Sequence, residues 1–210
     1  MDAVPPFRIE TERLVLRCLE PADAPLDRDA IDSSLEHLRR FMAFAWETPE
    51  PIEVLAERLG EHAERFASGV DFIFGIFGPD ETEMYGCCGL HPRIGPGAFE
   101  IGYWLRVSRI GRGFATEAAA ALTRVAFEHC GIDRVEIRAD PANVASLSVP
   151  AKLGFAVDGT LRRRLPPIGH GAERRDARVF SLFADEYPSA PCARASIEAF
   201  DAAGERIGLG

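Results

Sequence analysis

The string Arg109-Ile110-Gly111-Arg112-Gly113-Phe114-Ala115-Thr116 sets two glycines immediately ahead of an alanine-rich helical pattern. A helix start leaves about four backbone N–H groups without partners and carries roughly half a positive charge. Glycines at that point let the main chain approach a bulky anion and adopt positive φ. Gly111 and Gly113 are the close-approach positions, while Ala115 and Thr116 open the first turn. The segment therefore suits a phosphate cradle; a tight strand-to-helix turn without a ligand is the other reading of the same glycines. A nucleotide P-loop is excluded, because no glycine-rich string ending in Gly-Lys-Ser/Thr occurs. A dinucleotide fingerprint lacks its third glycine here and has a single crossover around it.

The elements that must position this loop follow from periodicity. Strands are expected over Arg13–Leu19, Asp71–Phe77, Met84–His91 and Ala98–Arg106, and then over Arg134–Asp140, Phe155–Leu165 and Asp176–Tyr187. Helices are expected over Pro51–Ala67, Gly113–His129 and Asn143–Gly154, with two short ones between Glu20 and Met42. Short links favour antiparallel pairing, whereas the crossover through the Gly113–His129 helix makes its two flanking strands parallel. The fold class is α/β with a mixed sheet. Residues 1–187 read as one domain, and 188–210 as a loose tail or one extra helix.

The chain has 210 residues, is 47% hydrophobic and carries a net charge of −9. An acidic surface disfavours general nucleic-acid binding. No apolar run reaches the ~20 residues of a membrane span. The N-terminal segment does not read as a secretory signal, so a cytoplasmic address is expected. Cys18, Cys87, Cys88, Cys130 and Cys192 are odd in number and show no CxxC spacing. They read as buried or incidental thiols, with redox or nucleophilic use as the alternative. His37, His62, His91, His129 and His170 are scattered, so no metal site is expected.

The string EIGYWLRVSRIGRGFATEAAAALTRVAF resembles the acyl-CoA-binding core of the GNAT superfamily of N-acetyltransferases. TERLVLRCLEPADA, GCCGLH, ADPANVASLSVPAKLGF and RRDARVFSLFADEY resemble its ribosomal-protein alanine/serine N-acetyltransferase branch. The likeness implies a splayed, mostly antiparallel sheet flanked by helices, with acetyl-CoA lying between two parting parallel strands. It maps the diphosphate loop onto Ile110, Gly111, Arg112, Gly113, Phe114, Ala115 and Thr116, with Arg109 and Arg112 as electrostatic support. Ile110 departs from the polar residue of the family pattern, which costs at most a side-chain contact. Asn143 and Ser146 match cofactor-contacting positions; a helix cap and a surface hydroxyl are their bland alternatives.

Acetyl transfer to an amine requires an uncharged nucleophile, oxyanion stabilisation and a proton for the leaving thiolate. Glu100 matches an acidic position of the relatives and is the leading base candidate, with His91 second. The position of the usual acidic tyrosine holds Pro150, which leaves Ser146 or water as proton donor. Trp46 falls where relatives form a wall of the acceptor groove, and Tyr103 is either a groove residue or packed core. Arg162–Arg164 and Arg174–Arg175 read as a solvated face that could also meet an acidic acceptor or the 3′-phosphate. The resemblance thus implies an acetyl-CoA-dependent transferase acting on a protein N-terminus or a small amine, as monomer or homodimer. The alternative is a CoA-binding regulatory module without turnover.

Overall fold

The computed structural model describes residues 4–47, 50–169 and 171–208. His170 lies outside the described residues. The strands are β1 (Arg8–Glu10), β2 (Val15–Cys18), β3 (Phe72–Phe77), β4 (Met84–His91), β5 (Ala98–Leu105), β6 (Arg134–Ala139), β7 (Ala156–Leu165), β8 (Arg175–Phe183), β9 (Glu198–Phe200) and β10 (Arg206–Ile207). The helices are α1 (Ala24–Asp32), α2 (Leu35–Leu38), α3 (Ile52–Ala67), α4 (Phe114–Glu128) and α5 (Val144–Leu153). Among the described residues no helix is long and apolar enough to cross a membrane.

The strands make one open sheet in the order β10-β9-β1-β2-β3-β4-β5-β6-β8-β7. Among the described residues only β5 and β6 are parallel, as the α4 crossover requires. Their pairing runs from Ala98↔Arg134 to Ile101↔Ile137 and stops there. β5 continues to Leu105 on the strength of β4 alone, with Gly86 opposite Leu105. Gly102 to Leu105 therefore face a gap where β6 has parted from them.

Alternation along β4 and β5 assigns the two faces. Cys88, Leu90, Phe99 and Ile101 join the core cluster beneath α4. Ala118, Ala119, Ala120 and Ala121 are all buried there, and their small side chains let the helix lie close to the sheet. On the other face Ile73, Cys87 and Trp104 pack with Ala24 and Ala30 of α1 and Leu55 and Leu59 of α3. Vicinal Cys87 and Cys88 thus point to opposite sides, and burial pushes both thiols up, away from nucleophilic use.

The segment after Tyr187 differs from the expected loose tail or helix. Two 3-10 turns, Tyr187–Ser189 and Pro191–Arg194, lead into β9, which pairs with β1 through Ile9↔Ala199. The missed signal is turn chemistry. Asp201 accepts from the amides of Ala203 and Glu205, both at 2.9 Å, and Gly204 takes φ +79° to close the hairpin. β1 itself, three residues long, was too short for a periodic signal.

Ile9 is wholly buried in the core, and its backbone pairs in the sheet with Ala199 of this hairpin, itself buried. A chain ending at Ala195 loses the β1–β9 pairing and the buried Ala199 and is expected to be less stable by about 1–2 kcal/mol, or roughly 2–8 °C in Tm. An unchanged calorimetric Tm would mean that the hairpin adds nothing to the sheet.

Candidate active site

Gly111 and Gly113 take φ +71° and +84°, the left-handed region that glycine tolerates. A methyl group at Gly111 would meet nothing within 4 Å, so backbone conformation, not space, requires the glycine. Gly113 is the N-cap of α4 and has no side-chain oxygen to offer. The first helical bond comes from the Glu117 amide to Gly113 O, at 3.0 Å. The amides of Phe114, Ala115 and Thr116 are thus left open at the positive helix end, as an oxyanion or diphosphate ligand needs. They border a cleft of about 250 Å³ that Ile110, Asn143 and Ser146 also line.

The loop is held from behind. Glu117 accepts from Thr11 Oγ1 at 2.6 Å and Arg13 Nε at 2.7 Å, while Arg13 Nη1 donates to Arg112 O at 3.1 Å. The guanidinium also lies 4.8 Å from the centre of the Phe114 ring. Arg109, expected beside the anion, turns instead to Glu83 and stacks 4.3 Å over Tyr85. Lys152 on α5, the one lysine of the chain, lines the cleft and supplies a cation there.

Across the β5–β6 gap, Tyr103 reaches α5. Its hydroxyl lies 3.1 Å from Ser146 Oγ and 3.2 Å from Ser146 O. Pro150 accounts for this arrangement. Proline inside α5 has no N–H for the carbonyl four residues back, which is Ser146 O. Tyr103 donates to that carbonyl, and Ser146 Oγ can donate to Tyr103 in return. Burial, partly offset by the Ser146 bond, pushes the phenol up to about 12, so it is a neutral O–H donor at neutral pH. Asn143 caps α5 by accepting from Ser146 N at 3.2 Å while lining the same cleft. The cap expected as the bland alternative for Asn143 is present, and the residue also lines the cleft.

A second cavity, of about 450 Å³, lies on the α1/α3 face and meets the first at Met42, Tyr103 and Trp104. His91 lines it. Its Nδ1 lies 2.6 Å from Asp71 Oδ1. Burial alone would raise the Asp71 carboxyl, but the His91 bond and nearby cations hold it below its usual range. The His91 ring lies across Gly89 and Gly102: a methyl group on either would come within 2.9 Å or 3.2 Å of the imidazole. Those two glycines are register partners at the point where the gap opens. Two bare positions thus bring His91 Nε2 to the mouth of the gap.

Glu100 is the register partner of His91 but lines neither cavity. Arg93 holds its carboxylate at 2.6 Å and 3.2 Å, and Arg138 lies at 3.8 Å. Trp46 lines neither cavity; its indole N–H donates to Arg39 O at 3.0 Å. Met42, Phe44 and Trp104 line the second cavity instead. Arg175 bonds Asp140 at 2.7 Å and Phe41 O at 3.1 Å, bracing the β7–β8 hairpin against the cleft. Arg174 donates to the carbonyls of Arg163 and Arg164 across the hairpin. Arg13, Asp71, Lys152 and Trp104 went unread as site residues. The Thr11-Glu12-Arg13-Leu14 string is a visible hint for Arg13; Asp71 joins through His91, Trp104 through the β4–β5 pairing, and Lys152 by lying on the cleft side of α5.

Comparison with known proteins agrees with this geometry. Residues 13–156 match the family described as acetyltransferase (GNAT) domain. The [ribosomal protein uS5]-alanine N-acetyltransferase of Escherichia coli is 30% identical over 159 residues, 74% of this chain and 81% of that protein. A solved structure of Mycobacterium smegmatis RimJ in complex with CoA-disulfide shares the fold, with TM-score 0.77 and 24% identity over 92% of this chain and 95% of that one. An acetyltransferase (GNAT family) from Bacillus anthracis does so with TM-score 0.71 and 22% identity over 85% and 99%. An open mixed sheet split at its one parallel pair, a bare helix N-terminus beside the split and a match across most of the chain lead to one conclusion: this protein belongs to the GNAT family of N-acetyltransferases.

Proposed function

We propose that the chain transfers an acetyl group from acetyl-CoA directly to a primary amine within a ternary complex. A protein N-terminal α-amine is the acceptor class favoured by the uS5-alanine relative. The observation that carries this reading is the meeting of two cavities at the β5–β6 gap. One is bordered by the open amides of Phe114, Ala115 and Thr116, the other by His91, which Asp71 holds through its Nδ1. The diphosphate of the co-substrate fits the first, with Lys152 as a further charge and Asn143 and Ser146 along its path.

An α-amine is neutral about a tenth of the time at neutral pH, so it asks little of a base. His91 Nε2 takes the proton as the nitrogen lone pair attacks the thioester carbonyl, and Asp71 orients the ring. The new C–N bond forms, the C–S bond breaks, and the sulfur leaves as a thiolate that accepts a hydrogen bond from Ser146 Oγ, whose O–H is free to turn to it while Tyr103 donates its own to the Ser146 carbonyl. Pro150 has no proton to give, but by freeing the Ser146 carbonyl it anchors Tyr103 beside the serine hydroxyl that does. Glu100, engaged by Arg93, serves as a fixed charge under the site.

Three outcomes check this. Purified protein with acetyl-CoA and peptides beginning Ala or Ser is expected to release free thiol; no release with any peptide or small amine removes the reading. His91→Asn is expected to lower kcat/KM by about 10²–10⁴, against less than about tenfold for Glu100→Gln. The reverse order would return the base role to Glu100. Gly113→Ala forces an unfavourable left-handed alanine that costs about 1–2 kcal/mol, and should weaken CoA binding roughly tenfold by calorimetry.

A further inference from the structure

At the α1/α3 end of the acceptor cavity lies a carboxylate that the chemistry above does not use. Asp27 is 4% exposed, and its Oδ1 is buried with no hydrogen-bond partner among the described residues. It lines the cavity together with Glu47. The cations nearest to it are committed elsewhere: Arg58 pairs with Glu50, and Arg28 donates to Glu50 O. His62, facing the same cavity from α3, also has a buried unpartnered atom, Nδ1. Burial first and Arg58 second push His62 down, so the imidazole is neutral and its Nδ1 accepts when the proton sits on Nε2. Two buried acceptor atoms without donors, on two helices around one cavity, describe a vacant place for an N–H-rich cation.

We propose that Asp27, with His62, binds a second positive charge on the acceptor, so that the preferred substrates are amines carrying another ammonium or guanidinium group. The inference rests on the acetyltransferase reading and names the substrate class within it. Cys87 of β4, which lies within electrostatic range of Asp27, is two residues along its strand from Gly89, where the His91 ring sits. At about 3.3 Å per residue this sets the second charge on the order of 7 Å from the reacting nitrogen. That is the reach of a lysine or arginine near a peptide N-terminus, or of a short diamine. Separation matters, because a carboxylate next to the reacting nitrogen would hold it as an unreactive ammonium. Burial, the largest influence, raises the Asp27 carboxyl to about 6, with Glu50 and Asp23 adding to burial and Arg58 and Arg28 opposing it. A cation bound beside it would reverse that rise.

The test pairs acceptors that differ only in the second charge. Ala-Lys-Ala amide is compared with Ala-norleucine-Ala amide, and 1,4-diaminobutane with butylamine, in the thiol-release assay at pH 7.5. The dicationic member of at least one pair is expected to have a kcat/KM at least about tenfold higher, as for a site built to bond a charged group. Which pair responds distinguishes a peptide from a polyamine acceptor. In Asp27→Asn that ratio should fall toward one. Equal rates within both pairs, or a preference that survives in Asp27→Asn, overturn the proposal while leaving acetyl transfer standing. Thermal melting reads the site without turnover: 1,4-diaminobutane should raise the wild-type Tm more than butylamine does, and the difference should vanish in Asp27→Asn. Absence of that difference counts against the site even if no acceptor reacts. The variant should also fold. An acid whose pKa is raised on folding contributes stability below its unfolded value, about 3.9, and loses it as pH rises through about 6. Asp27→Asn is therefore expected to melt no lower than wild type at pH 7.5.

Discussion

Hydrogen bonding between β5 and β6 ends at Ile101↔Ile137, and the rest of the molecule is arranged around that break. A sheet that stayed paired would have no room for a ligand between its strands. Here each strand keeps a partner on its outer side, β5 with β4 and β6 with β8, so the gap opens without leaving either strand unsupported. Residues from other elements then brace it. Tyr103 crosses to α5, and Arg175 ties the β7–β8 hairpin to Asp140 and to the Phe41 carbonyl.

The two sides of the break differ in their electrostatics. On one side the charge is fixed in the main chain: a helix end with unpaired amides, held by the Thr11–Arg13–Glu117 cluster behind it. Such a cradle costs no rearrangement when an anion arrives. On the other side the charges are side chains in pairs, His91 with Asp71 and Arg93 with Glu100. Within that paired landscape an unpartnered Asp27 stands out, because a buried carboxylate without a donor is unfavourable in the free protein.

Pro150 joins local sequence to distant geometry. In the sequence it appears only as the loss of a proton donor. In the fold it removes one N–H, leaves one carbonyl open and so gives Tyr103 an anchor. Helix chemistry at one position thereby decides where a strand residue places its hydroxyl.

The sequence by itself determined the elements whose signals are local. The 3.6-residue pattern set α3 and α4, alternation set β3 to β6, and two glycines before an alanine run marked the turn that opens α4. Crossover length alone made one pair parallel. What only the tertiary structure decided were the pairings between residues distant in the chain. They include Arg13 on Glu117, Asp71 on His91, Arg93 on Glu100, and the short β9–β10 hairpin on β1. A side chain's sequence neighbours fix its backbone angles, but its partner, and so its charge and its use, depends on which strands and helices the folded sheet sets beside it.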